Sequence, residues 1–205
     1  MIAASAEDIH RFWFAGCETD PVAATARGDV WFRSSSDLDL QIRERFGSTI
    51  QEAARGELSS WQETPRSCVS LVVVLDQFPR NAFRNTAAAF DNDPAALAIV
   101  RRAIAARHPD KLTIVERAFL LMPYQHVEDL ESQREGMQHF EHLAATAPAQ
   151  WRAFAENTLQ FARSHLDIIE RFGRFPHRNR MLRRSSTLAE REYLDSKPDT
   201  FGQGQ

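Results

Sequence analysis

Cysteine is nearly absent from this chain: Cys17 and Cys68 are the only two in 205 residues, with no C-x-x-C and no zinc-like spacing. That argues against a disulfide framework or a cysteine-held metal. Both thiols sit among apolar neighbours, where a free cysteine serves as a small buried hydrophobe. Long hydrophobic runs are missing too. No stretch approaches the ~20 apolar residues that span a bilayer, and the N-terminus lacks the basic head, apolar stretch and cleavage site of a secretory leader. A cytoplasmic protein with no membrane partner is expected. There is no G-x-S-x-G elbow, no activated-cysteine context and no phosphate-cradling glycine loop, so no standard nucleophile and no cofactor is implied. His126, His165 and His177 could surround a divalent ion with Asp129, but none shows the i, i+4 pairing of zinc-protease helices, and no metal site is expected.

What is present describes a globular helical protein. The apolar share of 43% and charged share of 26% rule out wholesale disorder, and the length makes one domain the default. Strand signals are scarce and helix starts recur. Ser5 with Asp8 opens a helix carrying Ile9, Phe12 and Trp13, and Gly16 stops it. Residues 17–35 read as irregular. Ser36 opens a longer helix, which Gly56 closes. Thr64-Pro65 is an N-cap followed by proline at the first helical position. The run Val69–Leu75 suits a buried strand by composition but has no comparable partner, so it reads as a central helix, apolar all round. Asp93-Pro94 starts another helix. Thr113 and Glu116 form a capping box before Phe119–Met122, with Pro123 interrupting and a further helix running to about Ala145. Pro148 starts a long one, closed by Gly173, and Thr187 with Glu190 caps a short last helix. About eight antiparallel helices in a single all-α domain over 1–195 are expected, followed by a polar, frayed tail over 196–205. No internal period is visible.

Polar residues interrupt these apolar faces at three places. Asp76, at the end of the most apolar helix, shares a face with Val69, Val72 and Val73, so its carboxylate is buried and requires a cation and hydrogen bonds. Gln77, Arg80 and Asn81 follow it, and Pro79 is expected to stop the helix. At 100° per residue, His126, Asp129, Leu130 and Gln133 fall on one stripe, with Glu128 opposite as a first-turn acid complementing the helix dipole. His165 lies mid-stripe between Trp151 and Phe172. A lone histidine on an apolar face is ordinarily a hydrogen-bonded core residue, and the helix terminus and polar stripe also have purely structural readings.

Positive charge is concentrated in one segment. Arg171–Arg184 (RFGRFPHRNRMLRR) holds six arginines and one histidine with no acid, in a chain of formal charge -3. Guanidinium groups match carboxylates and phosphates with paired hydrogen bonds, so this segment predicts an anion. Gly173, Pro176 and Asn179 give it the turn chemistry of one fixed conformation. Internal pairing with Asp76 and Asp129 would use about half of its charge, leaving other guanidinium groups for a ligand. Nucleic acid, with Phe172 and Phe175 as stacking surfaces, is the least favoured partner, given a pI near 6.2.

The blocks LDQFPRN (Leu75–Asn81) with FRNT after it, FLLMPYQHVEDLESQ (Phe119–Gln133), and GRFPHRN (Gly173–Asn179) followed by SST resemble a widespread bacterial family known as domain of unknown function 924. The resemblance runs from Ile9-His10-Arg11-Phe12-Trp13-Phe14 to about Leu194 and implies a tetratricopeptide-like α-α superhelix, with no established reaction. Its motif positions fall on Asp76, Gln77, Arg80, Asn81, His126, Glu128, Asp129, Gln133, His165, Arg174, His177, Arg178 and Asn179. Two positions depart from the pattern: Val127 replaces a serine, removing a hydroxyl, and Arg183 stands where glycine is usual before Arg184.

Together these features lead to a pocket for a small anionic ligand bearing phosphate or carboxylate. Arg80, Arg174 and Arg178 would bind the anion. His126 and His177 are the candidates for proton transfer, oriented by Asp129 or Asp76. The alternative is a protein-interaction module of tetratricopeptide type, its groove binding a protein partner and its polar network purely structural.

Overall fold

The computed structural model describes residues 4–33, 35–198 and 200–202. Most helices start where a side chain satisfies the free N–H groups of a first turn. Ser5 and Asp8 form the capping box of α1 (Ala6–Phe14), and the chain turns away through Ala15 and Gly16, both at positive φ. The 17–35 stretch is not irregular throughout. It contains α2 (Pro21–Phe32), capped by the Asp20 carboxylate on the Val22 N–H at 2.9 Å. Asp20-Pro21 is the same signature as Thr64-Pro65. α3 (Ser36–Ala54) is capped by Ser35, one residue earlier than expected.

α4 (Pro65–Val72) enters at Thr64, and the Val69–Leu75 run is helical and buried on every side. Pro79 does not stop it. Val73–Gln77 form one π-helical turn, with the Phe78 N–H reaching the Val73 carbonyl, and α5 (Phe78–Ala82) continues beyond. Pro79 falls in the first turn of α5, where proline's missing donor costs little.

α6 (Asp93–Ala105) and α7 (Ile114–His126) follow, the latter started by the Thr113–Glu116 box. α7 runs through Pro123 without interruption. The break comes at Val127, whose backbone is extended (φ -78, ψ 144), and α8 (Leu130–Thr146) restarts with Asp129 as its cap. α9 (Arg152–Phe172) ends at Gly173 in the left-handed region (φ 69), and α10 (Leu188–Asp195) grows from the Thr187–Glu190 box.

α7 is the central element. Every residue of it except Arg117 is buried, and it packs against α4, α6, α8 and α9. Gly136 makes the α7–α8 approach possible, since a Cβ there would lie 2.4 Å from Tyr124 Cβ. α6, α7, α8 and α9 each pack on the next, whereas α1 reaches forward to α4 and α3 to α5. Trp31, Trp13 and Phe14 meet Phe119 edge-on, at centroid distances of 4.7, 5.7 and 5.4 Å. There is no strand, and no helix long and apolar enough to cross a membrane, among the described residues. Of the tail expected to fray, Thr200, Phe201 and Gly202 line a cavity in the body of the protein. Residues 199 and 203–205 of it lie outside the described residues.

Candidate functional site

The π turn and the end of α7 build a charged network at the floor of a cavity of about 210 Å³. Asp76 is fully buried. Its Oδ1 accepts the His126 Nδ1–H at 2.7 Å and lies 3.4 Å from Arg80 Nη1, while the Gln77 amide donates to Oδ2. Burial alone would raise the carboxyl's pKa, but His126 and Arg80 hold it below the ordinary carboxylate range. Arg80 also folds back on the Asp76 carbonyl at 2.6 Å and pairs with Asp93 Oδ1 at 2.9 Å.

Three histidines reach the cavity wall: His126, His165 on α9, and His177 in the basic loop. His126 and His165 stand 5.7 Å apart, centroid to centroid. The His165 Nδ1–H donates to the Phe161 carbonyl at 2.7 Å, and Phe201 stacks on its ring at 3.8 Å. All three favour the neutral imidazole. Burial and Arg80 lower His126 against the pull of Asp76; burial and His126 take His165 well below its usual value; burial and Arg178 push His177 down to about 3.

Arg178 comes from the loop into the same wall. It lies between the Phe90 and Phe175 rings, with its guanidinium 4.4 Å from each centroid. Its Nη1 donates to the His126 carbonyl at 2.9 Å and reaches Asp93 Oδ2 at 3.3 Å. Burial, only partly offset by Asp93 and reinforced by Arg80, pulls this arginine down to about 10. Buried Nε of Arg178, Oε1 of Gln125 and Nδ1 of His177 have no hydrogen-bond partner among the described residues.

Seven of the residues singled out from the sequence line this one cavity: Gln77, Arg80, Asn81, His126, His165, His177 and Arg178. Asp76 lies directly behind them. The others are elsewhere. Asp129 shares no helical stripe with His126, because α7 ends between them; its carboxylate caps α8 through the Ser132 N–H at 2.8 Å. Gln133 braces the break, donating to the Gln125 and Val127 carbonyls at 2.7 and 3.0 Å. Arg174 pairs with Glu190 at 2.6 Å, and Asn179 donates to Ser186 at 3.1 Å. Glu128 is not a helix-dipole acid. It pairs with Arg184 and accepts the Phe175 N–H at 2.7 Å, which pins the loop. The loop's acidic partners are thus Asp93, Glu128 and Glu190, rather than Asp76 and Asp129. Arg183 has φ 52, the left-handed conformation that glycine adopts without strain.

Sequence reasoning missed the apolar wall of Trp31, Phe32, Phe154 and Phe161, and also Gln125 and the tail. Asp93 was legible only as a helix start. Its second role, bridging Arg80 and Arg178, depends on contacts across the fold. Arg84 closes the rim, held by Asp39 at 2.6 Å and donating to the Gly202 carbonyl at 2.6 Å.

Residues 9–198 match the family model described as bacterial protein of unknown function (DUF924). A solved structure of a protein of unknown function from Agrobacterium tumefaciens is 36% identical, with a TM-score of 0.75, covering 89% of this chain and 99% of that one. Among curated proteins none matches. With its motif blocks gathered around one cavity and the family model covering nearly its whole length, this chain belongs to the DUF924 family of bacterial proteins of unknown function.

Proposed function

We propose that the cavity binds a small anionic ligand, carboxylate- or phosphate-bearing, with Arg178 and Arg80 as its cationic wall. The carrying observation is Arg178. It is buried, it shares the paired carboxylate of Asp93 with Arg80, and its Nε has no hydrogen-bond partner among the described residues. A buried cation that shares its counter-ion and keeps a donor unused gains from an arriving negative charge. The aromatic rings of the same lining would take an apolar body, and the volume exceeds what one or two waters need. His126 and His177 are the groups placed to exchange a proton with such a ligand. The scaffold reads as tetratricopeptide-like over α6 to α9, a reading supported by each of these helices packing on the next.

A thermal-shift series over small carboxylates and phosphates tests the proposal. A ligand at ~100 times its dissociation constant adds about 2.7 kcal/mol, which raises the melting temperature by roughly 5–10 °C for a chain of this length. Arg178→Met should abolish the shift. A shift that persists undiminished in a folded Arg178→Met variant would place the anion elsewhere.

A further inference from the structure

The hydrogen-bonding character of the cavity narrows the ligand further, resting on the anion-binding reading above. Asp76 is a carboxylate and can only accept, so the 2.7 Å contact places the proton of His126 on Nδ1. Nε2 is then left with a bare lone pair. The same logic applies to His165, whose Nδ1–H is committed to the Phe161 carbonyl. Gln125, one residue before His126, contributes a buried Oε1 with no partner among the described residues. The cavity lining therefore combines acceptors from α7 and α9 with the guanidinium group of Arg178. An anion alone would satisfy Arg178 and leave the acceptors unmet; a simple cation would meet the guanidinium groups of Arg80, Arg84 and Arg178, which line the same space.

From this pattern we infer that the ligand is a small carboxylic acid with a flat apolar body that also carries a hydroxyl group, its carboxylate against Arg178 and its O–H donated to Nε2 of His126. Trp31, Phe32 and Phe161 face the body. Asp76 acts as a positioning residue, fixing the tautomer that makes Nε2 an acceptor.

Calorimetric titration of the full chain with benzoate, with 3- and 4-hydroxybenzoate and with inorganic phosphate tests this. Benzoate should bind, and one hydroxylated isomer should bind roughly three- to tenfold more tightly, the net contribution of one hydrogen bond. The advantage of the hydroxyl should vanish in His126→Phe, which keeps a ring and removes the acceptor. Should that variant not fold, nitrogen NMR of the wild-type His126 ring reads the same contact: Nε2 should shift with the hydroxylated acid and stay put with benzoate. Equal affinities for benzoate and both hydroxybenzoates, or an unmoved Nε2, would overturn the inference while leaving the anion site standing. Binding of phosphate but of no benzoate would also overturn it. Binding of none of the four would overturn the anion reading as well.

Discussion

α7 carries a buried histidine–carboxylate pair at each end, and the two differ in what surrounds them. At its start, Glu116 takes the His10 Nε2–H at 2.7 Å, while its second oxygen accepts the Thr113 N–H and hydroxyl, both at 2.8 Å. His10 lies against Phe14, with ring centroids 4.6 Å apart, deep in the aromatic core. At the other end, Asp76 takes the His126 Nδ1–H at the same 2.7 Å, but this histidine lines a cavity together with Arg80 and Arg178. A buried ion pair is by itself weak evidence of function. The first pair closes a capping box and locks α1 onto α7. The second stands beside a cavity, with guanidinium groups close at hand and with buried donors and acceptors that have no partner among the described residues.

Substitutions can separate the two ends. The largest effect should come from Asp76→Ala, which strands Arg80 and His126 in the interior and should cost about 3–5 kcal/mol, read as a drop in urea midpoint at constant slope. Gly136→Ala should cost about 1–3 kcal/mol, because the new Cβ presses on Tyr124 two residues from His126. Its signature is asymmetric: ring shifts of His126 move in NMR spectra while those of His10 stay. Glu116→Gln should cost a comparable 1–3 kcal/mol with the opposite signature, leaving His126 and the cavity unchanged. A Glu116→Gln variant that perturbs His126 would collapse the distinction between the two ends.

Acid should act chiefly on the cavity end. His177 is lowered from 6.5 to about 3, so in that window the unfolded chain holds a proton that the folded chain does not. Stability is therefore flat with respect to this group above pH 6.5 and falls as the pH drops towards 3. Its maximal slope is about 1.4 kcal/mol per pH unit. Melting curves between pH 7.5 and 4.5 should show this loss, and His177→Gln should flatten it by about that amount. An unaltered slope would mean that His177 is not buried neutral.

Local chemistry was legible in the sequence and long-range convergence was not. Ser5, Thr64, Thr113 and Thr187 announce helices because each bonds to backbone within three residues of itself. Asp20 does the same, and α2 was readable from Asp20-Pro21. Pro123 misleads, since proline normally breaks a helix interior, yet here α7 is enclosed by four other helices and continues. That single continuation undoes the His126–Asp129 stripe, because a helical count across Val127 crosses a real break. For the cavity, buried polar residues on apolar faces singled out Asp76, His126 and His165, and the fold brings these three together there. The identity of each partner did not follow from spacing. Arg178 could have paired with any of several acids, and Asp93 is selected only by the way α6 lies beside the loop.

The π turn at Val73–Gln77 has a consequence for how this helix can vary. It accommodates one residue more than a regular turn would, so the faces on either side of it are out of phase by a fraction of a turn. Upstream, α4 presents its apolar surface to α1 and α7; downstream, α5 addresses α3 and carries Arg80 and Asn81 to the cavity. Losing one codon within these five residues would let the segment relax into an ordinary helix whose two halves still form. The acid at its centre would then swing away from the imidazole it serves, and the scaffold would persist with its polar floor dismantled.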